Sequence, residues 1–189
     1  SLYNINKIAG HNVFNDIHLG DWGMPIAQII CYIKQNKIHL EDIKIEDLEE
    51  IYPKASEIYQ QDEEFKSKAQ NINKELNENK DDLIKNWEFL KEISVKAIKE
   101  TLSLLGHNFD LWMGESDVNT LIPKMIADLK ENEKISLDDG AYISNLETDP
   151  RILITKSDGS YLYLTTDLAT VLNRKKEYKV DKTLYIVDK

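Results

Sequence analysis

The sequence predicts an α/β fold, an open parallel sheet split by inserted material. Three observations carry that prediction. First, two short strand-like segments each lead into a turn and an apolar-periodic helix, at His18-Leu19-Gly20-Asp21-Trp22-Gly23 and at Tyr163-Leu164-Thr165-Thr166-Asp167-Leu168-Ala169. Alternating strands and helices are the pattern of a parallel sheet. Second, residues 41–104 contain no glycine and repeat apolar residues at three and four, which reads as helices alone. Third, short β-rich segments punctuated by turn residues follow that stretch.

The elements are predicted in order as follows. Leu2, Tyr3, Ile5 and Ile8 have helical spacing and Gly10 is a C-terminal stop, so 2–9 reads as a short helix. Residues 12–17 read as a strand. The turn from Gly20 to Gly23 follows, and Pro25 falls where the first turn of a helix tolerates it. Ile26, Ile29, Ile30 and Ile33 form that helix's buried stripe. Three amphipathic helices come next, carried by Leu48, Ile51, Ala55 and Ile58, by Phe65, Ala69, Ile72 and Leu76, and by Leu83, Trp87, Leu90 and Ala97.

After Gly106 the α/β character returns. A strand is expected at 109–112 and a helix at 118–132, then short strands near 135–137, 141–144, 151–155 and 161–164. Asp158-Gly159 favours a tight hairpin turn. A helix is expected from about Asp167 to Tyr178, with Arg174, Lys175 and Lys176 where cations suit the helix dipole. Residues 184–187 read as the last strand. The organisation expected is a first α/β part at 1–40, a helical insertion at 41–104 and a second α/β part with a hairpin at 105–189.

The 189 residues suffice for one sizeable core, or a core with an appendage. The formal net charge is −10, which argues against a DNA-coating surface, since phosphate neutralisation needs clustered Lys and Arg. It leaves room for a nucleic acid held by local basic patches. Residues 41–104 hold 17 acidic and 10 basic side chains and so contribute −7 of that charge, chiefly as the solvated face of surface helices. The single cysteine, Cys31, excludes an intrachain disulfide and fits a reducing cytoplasm; within Ile29-Ile30-Cys31-Tyr32-Ile33 it reads as a small buried hydrophobe. No apolar run approaches the ~20 residues that span a bilayer, so no membrane partner is expected. The chain starts at Ser1 in an amphipathic run and stops just after an apolar one, so a piece excised from a longer enzyme is expected.

Ligands of open α/β sheets sit beyond the C-terminal strand ends, where both turn motifs fall. A carboxylate such as Asp167, early in a helix, has two readings. It either satisfies exposed amides and the helix dipole, which the local sequence favours, or pairs with a substrate cation. A guanidinium offers a planar fork that a carboxylate matches with two hydrogen bonds. Tyr163, four residues earlier, either packs as a strand aromatic or assists the same cation with its hydroxyl or ring face. Asp21 and Trp22 either anchor their turn or border a site. Gly20 and Gly23 allow a tight turn with close backbone approach. His18 reads as a structural, hydrogen-bonded histidine. His11, His39 and His107 show no metal-ligand spacing, and no Walker loop or Gly-x-Ser-x-Gly elbow is present, so no metal site and no catalytic residue is assigned.

Taken together, these motifs resemble the catalytic domain of arginyl-tRNA synthetases. His18 to Gly23 is similar to that family's His-x-Gly-Asp-Trp-Gly segment, and Tyr163 to Asp167 to its Tyr-to-Asp segment. Gly10-His11-Asn12-Val13, Phe109-Asp110-Leu111-Trp112, Glu115-Ser116, Gly140-Ala141, Ser157-Asp158-Gly159 and Tyr185-Ile186-Val187 resemble further family segments in the same order. The resemblance implies a Rossmann-like parallel sheet of a class I synthetase catalytic domain, interrupted by a three-helix insertion and a β-hairpin. It implies Tyr163 and Asp167 as the arginine-binding pair, with His18, Gly20, Asp21, Trp22, Gly23 and Thr166 supporting the site and Thr166 capping the helix. It further implies L-arginine, ATP with Mg, and tRNA(Arg) as the parent enzyme's substrates and partners.

Two departures bear on activity. Met24-Pro25 stand where the family often has Thr-Gln, so no role of that Gln transfers. The His-Ile-Gly-His and Lys-Met-Ser-Lys-Ser signatures that bind ATP in class I synthetases are absent from the chain, so these 189 residues are expected to be inactive alone. Two alternatives remain at this level, a non-catalytic synthetase-like binding module and a synthetase for another amino acid.

Overall fold

The structure, a computed structural model, describes residues 2–148, 150–157 and 159–186. The fold is mixed α/β and divides into two compact units, Ser1–Trp112 and Met113–Lys189.

The first unit opens with α1 (Leu2–Ile8), closed by Gly10 at φ +88°. Its apolar residues are not buried; Ile8 is 87% exposed. Strand β1 (Asp16–Leu19) starts four residues later than the expected 12–17. The cause is local. Asn15 accepts the amide of Asp110 on its side chain at 2.8 Å and those of Asp110 and Leu111 on its carbonyl at 3.0 Å, while its own amide donates to the Asp110 carboxylate at 3.1 Å. Such Asx side chains take over the ladder's hydrogen bonds, so regular pairing begins only beyond them. The partner β2 (Leu111–Gly114) is shifted likewise from the expected 109–112. Both strands leave this Asn15–Asp110 clasp in the same direction, as a parallel pair.

Helix α2 (Met24–Gln35) buries Ala27, Ile29, Ile30, Cys31 and Ile33. It packs against α3 (Ile45–Gln61) and α4 (Glu63–Asn77), and also against α5 (Asp81–Leu104). The four helices therefore share one core, running from Ala27 through Phe65 and Leu76 to Leu90. Cys31 lies in it at 3% exposure, and burial pushes its thiol above the usual cysteine range, as suits an inert core residue.

Asp62 ends α3 and starts α4. Its carboxylate accepts from the amides of Glu64 at 2.8 Å and Phe65 at 3.0 Å. Asp62→Ala should cost about 0.5–2 kcal/mol. The urea midpoint of the 189-residue chain measures it, and an unchanged midpoint would mean that water serves those amides equally well.

The second unit places α6 (Glu115–Val118), a 3-10 turn at Asn119–Leu121 and α7 (Ile122–Glu131) where a single helix at 118–132 was expected. Pro123 explains the break. It has no amide hydrogen and suits only the first turn of α7, so the preceding backbone tightens. Strands β3 (Ile135–Asp138) and β4 (Ala141–Ser144) form an antiparallel hairpin pairing Asp138 with Ala141. Its two-residue turn has Asp139 at φ +46° and Gly140 at φ +80°, the conformation that suits the strand twist.

The expected strands at 151–155 and 161–164 reduce to single bridges, Ile143 to Leu153 and Thr155 to Tyr161. The Thr155 hydroxyl, not a backbone carbonyl, accepts the Tyr142 amide at 3.1 Å, which interrupts the ladder. Of the expected Asp158-Gly159 turn, Asp158 lies outside the described residues, as do Ser1, Asp149 and Val187 to Lys189. Leu184 to Ile186 form no strand among the described residues. The Tyr185 hydroxyl accepts a hydrogen bond from Arg174 of the last helix at 2.8 Å. Helix α8 (Tyr163–Tyr178) closes the unit over a core of Val118, Ile122, Met125, Ile126, Ile135, Ile154 and Ala169.

Candidate functional site

The two turn motifs belong to different compact units. In the first unit, His18 is half-buried in β1 and Gly20 lies in the exposed turn after it. Neither glycine of this turn is a close-approach position, since a Cβ on Gly20 or Gly23 meets nothing within 4 Å. Gly23 is demanded by conformation instead. It precedes α2 at φ +87°, which an L side chain rarely adopts.

Asp21 and Trp22 point into the helical bundle. Asp21 is only 8% exposed; its carboxylate lies 2.6 Å from the Lys91 ammonium, and its carbonyl accepts the Trp87 indole N–H at 2.6 Å. The Trp22 indole donates to the Asn77 side-chain oxygen at 3.0 Å and meets Trp87 edge-on, with centroids 5.1 Å apart and planes at 80°. Lys91 also lies 5.0 Å from the Trp87 ring centroid. A buried carboxylate requires such a cation, and buried indoles require acceptors. Trp87, read from the sequence only as part of an apolar stripe, and Lys91, read only as surface charge, are the residues that sequence reasoning missed. The available signal was their spacing of four, which stacks them on one helix face.

In the second unit, α8 begins at Tyr163 and not at Asp167. The alternating Tyr161-Leu162-Tyr163-Leu164 resembles a strand, but the Leu162 carbonyl accepts the amides of Thr165 at 2.9 Å and Thr166 at 3.3 Å. Tertiary contact fixes this start, with the buried Thr165 hydroxyl donating to the Ile154 carbonyl. Thr166 does not cap the helix. Its hydroxyl donates back to the Tyr163 carbonyl at 2.7 Å, and the N-cap position is Leu162.

Thr165, Thr166, Ala169, Thr170 and Arg174 form the buried face of α8. Tyr163, 76% exposed at the start of the helix, and the half-buried Asp167 are one turn apart, the spacing at which helical side chains meet. With the helix starting at Tyr163, Asp167 lies beyond the first turn, where the amide groups and dipole that a helix-start carboxylate serves have faded. A planar cation can be met here by a carboxylate and an aromatic hydroxyl or ring face.

Among the described residues no group of three His, Cys, Asp or Glu is arranged to hold a metal ion. No helix among them is long and apolar enough to cross a membrane. A groove of about 660 Å³ lined by Cys31, Lys34, Lys68 and Asn71 includes no residue of either motif, and its Lys68 is engaged by Glu64 at 2.6 Å.

A family model described as class I tRNA synthetases (R), catalytic domain, matches residues 1–189. The chain is 35% identical to a curated arginine–tRNA ligase of Alkaliphilus oremlandii over its full length, which is 36% of that protein. It is 34% identical to one of Francisella tularensis subsp. holarctica, covering all of the chain and 35% of that protein. The chain thus spans about a third of the length of the curated relatives it matches. Among solved structures, arginyl-tRNA synthetase from Plasmodium falciparum aligns with 92% of the chain and 30% of its own at TM-score 0.78 and 23% identity. That of Thermus thermophilus aligns with 90% of the chain and 30% of its own at TM-score 0.61 and 19% identity. These two likenesses concern the fold.

Proposed function

Because the chain belongs to the catalytic-domain family of the class I arginyl-tRNA synthetases, we propose that it serves a longer enzyme that activates L-arginine with ATP and charges tRNA(Arg). In the first step the arginine carboxylate attacks the ATP α-phosphate in line. The bond to the β-phosphate breaks, giving arginyl-adenylate and pyrophosphate. In the second step a ribose hydroxyl at the tRNA 3′ end takes the arginyl group and AMP leaves. Such transfers depend on positioning and charge stabilisation.

This chain's part is one wall of the arginine pocket. The observation that carries the reading is the placement of Tyr163 and Asp167 one turn apart on α8. Asp167 pairs with the guanidinium and Tyr163 covers it, which holds the substrate by its far end and leaves the carboxylate to react. His18, Gly20, Asp21, Trp22 and Gly23 in the first unit and Thr166 in the second have supporting roles, and residues 41–104 are a helical insertion between 1–40 and 105–189. The enzyme works in the cytoplasm.

Arginine-dependent ATP–pyrophosphate exchange, measured with tRNA(Arg) present, tests the proposal. The longer enzyme should exchange with arginine and not with lysine, and the 189-residue chain alone should be inert. Exchange driven by another amino acid, or none at all in the longer enzyme, overturns it.

A further inference from the structure

We propose that Lys91 and Trp87 of α5 are positioning residues that hold the turn after β1 in its working shape, an inference that rests on the synthetase reading above. The two side chains, four residues apart on one helix, grip the same residue. Lys91 takes the Asp21 carboxylate and Trp87 takes the Asp21 carbonyl, each at 2.6 Å. Asn77, the last residue of α4, holds the neighbouring Trp22 indole at 3.0 Å. Two consecutive turn residues are thus fixed from two helices, and their side chains are committed to the bundle.

The turn therefore faces a ligand with its backbone alone. It follows a parallel strand, the end at which sheets of this kind bind ligands. Backbone groups in a turn have no side-chain rotamers with which to adjust, so their accuracy depends on what clamps them. Residues 66 apart in sequence supply that clamp. The helical segment is then part of the active-site scaffold and not an appendage.

The test uses the full enzyme, with exchange kinetics measured in the presence of tRNA(Arg) and with far-ultraviolet circular dichroism. A perpendicular pair of indoles this close produces an exciton couplet, which reports the clamp independently of activity. Trp22→Phe assigns that couplet. Lys91→Met keeps the aliphatic stem and removes the charge. It should lower kcat for arginine-dependent exchange by about 10- to 100-fold, the scale of a misplacement near 1 Å, and diminish the couplet. The KM for arginine should hold, since the guanidinium is bound elsewhere. Lys91→Arg should restore most of kcat, and Lys96→Met, at an exposed position on the same helix, should change nothing.

If Lys91→Met does not fold, Asn77→Ala at an exposed helix end should shift kcat and couplet in the same direction. A lowered kcat with an intact couplet, or an altered couplet with wild-type kcat, overturns the positioning role. Wild-type exchange with an unaffected Lys91→Met variant overturns the clamp alone. Absence of arginine-dependent exchange in the wild type overturns the synthetase reading itself.

Discussion

Asp167→Asn is expected to weaken arginine binding by about 1.5–3 kcal/mol, the scale of a hydrogen bond to a charged group. That corresponds to roughly 10- to 150-fold in affinity. The change preserves the shape of the side chain and removes its charge, so packing on α8 is kept. Titration calorimetry on the full enzyme with arginine, lysine and citrulline reads the effect. Lysine has the charge without the planar fork, and citrulline has the plane without the charge. A carboxylate facing a guanidinium discriminates against both, and Asn at 167 should narrow the gap between arginine and citrulline. Unchanged arginine affinity with a lowered melting temperature would assign Asp167 to the helix and remove it from the pocket. The start of α8 at Tyr163 weighs against that outcome. It moves Asp167 out of the first turn, where a carboxylate gains most from the macrodipole.

The start of α8 also shows where the sequence was readable and where it was not. Helices α3, α4 and α5 were legible because their buried residues, such as Phe65, Ala69, Ile72 and Leu76, recur at three and four with no glycine between. The short elements were decided by contacts distant in sequence. Asn15 and Asp110, 95 residues apart, delay both strands of the parallel pair. The Thr165 hydroxyl on the Ile154 carbonyl helps convert an alternating strand-like run into a helix start. Pro123 is visible in the sequence, but the 3-10 turn before α7 depends on how the preceding backbone packs, which the sequence does not mark. Of the candidate residues, Asp21, Trp22, Tyr163 and Asp167 were legible as parts of motifs. Their surroundings were not, because Asn77, Trp87 and Lys91 carry no local mark that couples them to a turn 55 to 70 residues earlier.

Phe65→Ala is expected to be the most damaging single change to the helical bundle, costing about 3–5 kcal/mol. Against a whole-domain stability of about 5–15 kcal/mol, that is a large fraction. Phe65 is 1% exposed and among the largest fully buried side chains. It stands at the start of α4, the helix that packs against α2, and its carbonyl lies 3.9 Å from the Cys31 sulfur of α2. Removing the ring leaves a void at the α2–α4 contact, and a close-packed interior refills such voids only in part. The backbone amide that Asp62 caps at 3.0 Å survives the substitution, so the loss reports packing and not capping. Phe65→Leu should recover most of it, because the remaining deficit is then a smaller void. Urea unfolding of the three proteins orders them wild type, Leu, Ala. A loss from Phe65→Ala below about 1 kcal/mol, the scale of an ordinary substitution, would mean that α4 does not seat its ring against α2. The clamp of Asn77 on Trp22, carried by the same helix, would then lose its foundation.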